Sequence, residues 1–227
     1  MRRSRLYREK VEGVDLDQQY SIKDAVQLVR KTAYAKFDET IEAHFNLGID
    51  PKYAEQQVRG TVALPHGTGK MLRVIVIAEG DAIKEAKEAG AIEAGCDELI
   101  EKIKGGWFEF DLVIATPSVM PKVGKLGKDL GTKGLMPSPK SGTVTDNIKK
   151  TVLEFMSGKI EYRNDKEGNL HVSIGKLSFS DEQIESNFKC VHETIQKVKP
   201  ASLKGVYMKT TVICSSMGPG IKVNHHE

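Results

Sequence analysis

Apolar residues recur at helical spacing after Ser21. Ile22, Ala25, Val26, Leu28 and Val29 line one face, which predicts a helix over about 22–34 with Ser21 as its cap. The period then changes. Ile41, Ala43, Phe45, Leu47 and Ile49 alternate with Thr40, Glu42, His44 and Asn46, the pattern of a half-buried strand that Asp50-Pro51 ends. A second strand is expected near 56–64. Towards the other end of the chain, strands at 159–163 and 169–175 flank Asn164-Asp165-Lys166-Glu167-Gly168, a hairpin signature. A helix from Ser180 to about 198, a strand at 206–214, the turn Ser215-Ser216-Met217-Gly218-Pro219-Gly220 and a short strand at 221–223 complete this part.

Between these outer parts the rhythm differs. Leu64-Pro65-His66-Gly67-Thr68-Gly69-Lys70 is rich in turn residues and marks a boundary. Beyond it come a strand at 72–78, helices near 81–90 and 97–104, a strand at 111–115 and a helix after Pro117. Short buried strands separated by helices predict a small parallel-sheet α/β layer. Residues 121–144 hold five glycines and three prolines among their lysines and are expected to be loop. A helix near 145–157 follows, stopped by Gly158. The outer parts each supply a helix and strands, but neither has enough strands for a covered core. The predicted fold class is therefore α/β with two domains. One is a discontinuous α+β domain from residues 1–66 and 158–227, and the other an α/β domain inserted at 67–157.

Composition narrows this picture. The apolar runs, such as Val74-Ile75-Val76-Ile77-Ala78, are too short to span a bilayer, and Met1-Arg2-Arg3-Ser4-Arg5 is not followed by a signal-peptide core. Neither secretion nor a membrane partner is expected. Cys96, Cys190 and Cys214 are widely spaced with no C-x-x-C pair, so no zinc site is expected, and no metal or cofactor. The net charge of +3 hides an uneven distribution. Residues 1–10 carry Arg2, Arg3, Arg5, Arg8 and Lys10 against Glu9; 79–111 lean acidic; 121–150 carry seven lysines against two aspartates.

Catalytic motifs fail on inspection. Gly67-Thr68-Gly69-Lys70 resembles part of a phosphate loop, but Leu64 stands where the first glycine belongs and Met71 where Ser or Thr belongs. The motif also precedes a strand instead of following one. Gly124, Gly127 and Gly131 do not fit G-x-G-x-x-G. No G-x-S-x-G or H-E-x-x-H occurs; His66, His171 and His192 are scattered, and His225-His226 lack a third ligand nearby. No catalytic residue is expected. A nucleotide-dependent enzyme built on the insert, and a protein–protein scaffold using the acidic 79–111 face, stand as the rival readings.

Two loops carry chemistry suited to RNA. Lys36-Phe37-Asp38-Glu39-Thr40 precedes a strand, pairing a cation for phosphate with a ring for a sugar or base. In the second, Ser215 and Ser216 can donate to 2′-hydroxyl or phosphate oxygens, Met217 supplies an apolar contact, and Gly218-Pro219-Gly220 let a polyanion approach the backbone. Arg163 and Lys166, at the expected hairpin, would extend the same basic rim.

These loops sit within longer motifs. Lys36-Phe37-Asp38-Glu39-Thr40 leads to Leu47-Gly48-Ile49-Asp50-Pro51-Lys52. Val58-Arg59-Gly60-Thr61-Val62 is followed by Leu64 to Lys70. Leu126-Gly127-Lys128 runs to Gly134-Leu135-Met136-Pro137-Ser138-Pro139-Lys140 and Gly142-Thr143-Val144, and Gly158 to Lys166 and Ser216 to Gly220 complete the series. Together, and in order over nearly the whole chain, they resemble the universal ribosomal protein L-one family of the large-subunit stalk, bacterial or plastid type. The family usually has Gly-Pro-Arg where this chain has Gly131-Thr132-Lys133.

The resemblance implies a split α+β domain with an inserted, Rossmann-like three-layer α/β domain. It implies a non-enzymatic constituent of the large ribosomal subunit that binds ribosomal RNA at the mobile stalk near the tRNA exit site and assists release of deacylated tRNA. In bacteria it would also repress translation of its own messenger RNA. The implied partners are large-subunit ribosomal RNA, exit-site tRNA, its own messenger RNA and other ribosomal components, on ribosomes of bacterial cytoplasm or plastid stroma. Lys36, Phe37, Thr40, Arg163, Lys166, Ser215, Ser216, Met217, Gly218 and Pro219 are the expected RNA-binding residues. Lys125, Lys128, Lys133 and Lys140 are expected to make secondary RNA or tRNA contacts.

Overall fold

The structure, a computed structural model, describes residues 4–224; Arg2, Arg3 and the His225-His226 pair lie outside the described residues. In chain order, α1 (Arg5–Val11) and β1 (Gln19–Tyr20) lead to α2 (Ile22–Thr32), β2 (Thr40–Leu47) and β3 (Arg59–Ala63). Next come β4 (Val74–Ile77), α3 (Ala82–Glu88), β5 (Glu93–Gly95), α4 (Asp97–Lys104) and β6 (Leu112–Ala115). Three helices, α5 (Met120–Val123), α6 (Gly127–Thr132) and α7 (Ile148–Met156), precede β7 (Lys159–Arg163) and β8 (Asn169–Lys176). Helix α8 (Asp181–Lys197) and strands β9 (Met208–Ser215) and β10 (Ile221–Val223) end the described chain. The chain divides into two compact units, Met1–Gly69 with Ile160–Glu227 and Lys70–Lys159. The crossings thus fall a few residues beyond the 66/67 and 157/158 boundaries expected from composition.

In the first unit, five strands form a sheet in the order β1-β10-β9-β2-β8, with β1 parallel to β10 and the remaining pairs antiparallel. The alternation along β2 is realised: Ile41, Ala43, Phe45 and Leu47 are buried. They pack in one core with Val26 and Val29 of α2 and Ile184, Phe188, Val191 and Ile195 of α8. Both long helices start where the chain supplies caps. Ser21 accepts from the Asp24 N–H, and Ser180 forms a capping box with Gln183. Asn187 of α8 is fully buried; its amide donates to the Gly67 and Ile174 carbonyls at 2.9 and 2.8 Å and accepts from the His66 N–H at 3.1 Å.

The expected 159–175 hairpin keeps its turn, with an isolated antiparallel bridge between Asn164 and Leu170, but its two strands do not pair with each other beyond that. β7 pairs with β3 in a separate two-stranded sheet, and β8 pairs with β2. The turn between them explains the divergence. Asn164 accepts from the Val58 N–H at 2.8 Å, turning the end of β7 towards β3. Asp165 accepts from the Glu167 and Asn169 N–H groups at 2.8 and 2.7 Å. Leu170, Val172 and Ile174 of β8 are then buried in the same core as β2.

In the second unit, β5-β4-β6 form a parallel sheet. All four residues of β4 are buried because helices cover both faces. Ile75 and Ile77 pack with residues of α4, α5 and α6, while Val74 and Val76 pack with α3 and α7.

The 121–144 stretch, expected to be loop, is largely helical: α5 and α6 are joined by a 3-10 turn at Gly124–Leu126, and Pro139–Ser141 form another. Val123, Leu126 and Leu130 recur at spacings of three and four and are completely buried against the sheet. That burial outweighs the weak helix propensity of Gly124, Gly127 and Gly131, at whose Cβ positions nothing lies within 4 Å. Gly131→Ala should therefore raise stability by about 0.5–1 kcal/mol, read as an increased denaturant midpoint with unchanged slope.

Candidate nucleic-acid interface

The first strand pair of interest is β2 with β9, where Ile41 lies opposite Ser215. This register brings the loop before β2 beside the turn after β9. The side chain that joins them is Glu39, which is completely buried. One carboxylate oxygen accepts from the Tyr34 and Ala35 N–H groups at 3.2 and 2.9 Å. The other accepts from the Met217 N–H at 2.9 Å. Burial alone would raise this carboxyl's pKa. The donors around it, the Ser215 hydroxyl first and then the Met217, Ala35 and Tyr34 N–H groups, outweigh burial and hold it below the ordinary value. The three N–H groups make hydrogen bonds of ordinary geometry, whereas the buried Ser215 hydroxyl does not.

Further contacts fix the same two loops. The Thr40 N–H donates to Ser216 Oγ at 3.1 Å, and Ser216 Oγ donates to the Thr40 carbonyl at 3.4 Å. Lys176 Nζ reaches Thr40 Oγ1 at 2.8 Å. Asp38 accepts from the Ser178 N–H and hydroxyl at 3.1 and 2.9 Å. A Cβ at Gly218 would lie 2.5 Å from Ser215 Oγ, so a side chain there would require that hydroxyl to move.

Held in this way, Phe37 and Met217 project into solvent, 59% and 49% exposed, with Lys36 and Ser216 exposed beside them in the chain. Large apolar side chains on fixed loops, next to a cation, offer a ring face and a pliable thioether to a flat ligand. Ser215 and Pro219 are buried, so they shape this turn from within rather than presenting side chains.

Arg163 and Lys166 are exposed but lie elsewhere. Thr40 pairs with Lys176 whereas Asn46 pairs with Asn169, so the turn before β8 sits at the far end of β2. The six residue steps from Thr40 to Asn46, at about 3.4 Å each, put the two ends about 20 Å apart. The expected continuous rim is therefore two separate clusters. Lys125, Lys128, Lys133 and Lys140 of the second unit are exposed. Lys133 Nζ sits 3.5 Å from the centroid of the Phe108 ring, a cation–π contact that occupies it within its own unit. Thr132, where the resembled family has proline, hydrogen-bonds the Asp129 carbonyl at 3.1 Å within α6.

Glu39, Asp38 and Lys176 were not among the expected site residues. Glu39 had a readable signal. Counting back by twos from the inward positions Leu47, Phe45, Ala43 and Ile41 reaches 39, and a carboxylate at an inward position needs donors. Among the described residues no group of three His, Cys, Asp or Glu side chains is placed to hold a metal ion, and no helix is long and apolar enough to cross a membrane.

A scan against protein-family models matches residues 29–219 to the Ribosomal protein L1p/L10e family. The match spans both units and both loops joined by Glu39. The chain belongs to this family. As a ribosomal L1p/L10e protein it is a large-subunit ribosomal protein that binds ribosomal RNA, works on the ribosome among other ribosomal components, and comes from a structural rather than an enzymatic family. The mixed α/β architecture agrees with this assignment.

Proposed function

We propose that this L1p/L10e protein grips large-subunit ribosomal RNA at the mobile stalk beside the tRNA exit site, through the unit formed by both ends of the chain. The observation that carries the reading is the pair of exposed apolar side chains, Phe37 and Met217, held out from adjacent loops beside Lys36. Phe37 stacks on a base or sugar, Met217 packs beside it, and Lys36, Thr40 and Ser216 engage phosphate and 2′-hydroxyl groups. Backbone approach at Gly218 and Pro219 completes this cluster, with Ser215 as its buried support. Arg163 and Lys166 form a second contact on the same RNA. Lys125, Lys128 and Lys140 of the inserted unit touch RNA or exit-site tRNA as deacylated tRNA leaves. In a bacterial cell the same surface binds the protein's own messenger RNA and represses its translation; in a plastid it serves the ribosome of the stroma.

The test is binding to a large-subunit stalk RNA fragment and to an unrelated structured RNA over a salt series. Selective binding to the stalk fragment, weakening as salt rises with a slope set by the phosphates neutralised, is the expected result. Equal and weak binding to both RNAs would defeat the reading.

A further inference from the structure

We propose that Glu39 is the positioning residue of the RNA site: a buried anion that presets the Phe37 and Met217 loops in their binding shape before RNA arrives. The inference rests on the stalk-RNA reading above and adds to it a residue that itself touches no RNA. Electrostatics makes the placement informative. A carboxylate beneath the seat of a polyanion repels phosphate, so considered as a charge alone it opposes binding. Its hydrogen bonds supply the compensating benefit. One oxygen serves Tyr34 and Ala35 on one loop and the other serves Met217 on the second. A loop ordered in advance loses less freedom when its ligand binds, which strengthens binding without any new contact.

Only a carboxylate fits this arrangement. Glutamine has nearly the same shape, but its amide carries an acceptor on one side and a donor on the other. With the oxygen towards Tyr34 and Ala35, the NH2 confronts the Met217 N–H. Flipped, it confronts the other two. Aspartate is one methylene shorter and cannot reach both loops.

Charge and positioning therefore predict opposite signs for Glu39→Gln. Removing a negative charge alone would tighten RNA binding. Losing the clamp should weaken binding to the stalk RNA fragment at least tenfold, and should shrink the further loss caused by Phe37→Ala, because a misplaced ring has less to lose. Affinity that is unchanged or improved, or effects of E39Q and F37A that simply multiply, would overturn the proposal.

Hydrogen exchange on the unmodified protein provides a measurement that does not depend on the variant folding. The Tyr34, Ala35 and Met217 amides should be protected in the free protein and gain little on adding RNA. Fast exchange when free, followed by protection when bound, would mean that RNA orders the loops and would overturn the role assigned to Glu39. Failure of the unmodified protein to select the stalk RNA would remove the RNA reading itself and the positioning role with it, whereas protected amides would still establish the clamp as a structural element.

Discussion

The double replacement Phe37→Ala with Met217→Ala is expected to lower affinity for the stalk RNA by about 100-fold, while thermal stability stays close to that of the unmodified protein. Both side chains are substantially exposed, so truncating them removes little buried apolar surface and opens no core cavity. Contact with RNA is where their loss should register. An aromatic side chain stacked on a base contributes roughly 1–3 kcal/mol by alanine substitution, and each 1.4 kcal/mol is about tenfold in affinity. The salt slope should barely change, since neither side chain neutralises a phosphate. Filter binding or calorimetry at two salt concentrations would separate this outcome from a charge effect. Unchanged affinity in the double variant would count against the assigned site.

The second large effect concerns stability. Asn187→Ala should destabilise the first unit by about 2–4 kcal/mol, because it leaves the His66 N–H and the Gly67 and Ile174 carbonyls without their buried partner. The corresponding fall in Tm is roughly 5–15 °C. RNA affinity measured well below the new Tm should be retained, since Asn187 contacts neither the Phe37 loop nor the Met217 turn through these bonds. A variant with unaltered Tm would show that water replaces the amide at no cost.

Periodicity revealed much of this architecture. The alternation from Ile41 to Leu47 is an interior strand of a sheet, and the stripes after Ser21 and Ser180 are the helices packed with it. Two features escaped because local chemistry pointed the other way. The glycines of 121–144 suggest loop, whereas the buried spacing of Val123, Leu126 and Leu130 makes helix. Asn164 to Gly168 reads as a hairpin turn, yet the Val58–Asn164 bonds send the strand before it to a different neighbour. For the site, Phe37 and Met217 were legible as apolar residues among turn formers. Glu39 was legible as an inward-facing carboxylate in need of donors, but its partner at Met217 was not, since a hydrogen bond spanning 178 residues leaves no local pattern. Arg163 and Lys166 show the converse: residues that share a charge sign need not share a surface, and strand register separates them.

That 178-residue span also bears on how the molecule is made. A ribosome adding about 5–20 residues per second delivers Met217 roughly 10–35 s after Glu39. Throughout that interval the Phe37 loop is already synthesised but lacks the Met217 turn that Glu39 ties it to. A chain released after Lys159 but short of the turn after β9 would carry the inserted unit and an unsecured half of the proposed RNA grip. On the proposed reading, competence for RNA therefore arrives near the end of translation.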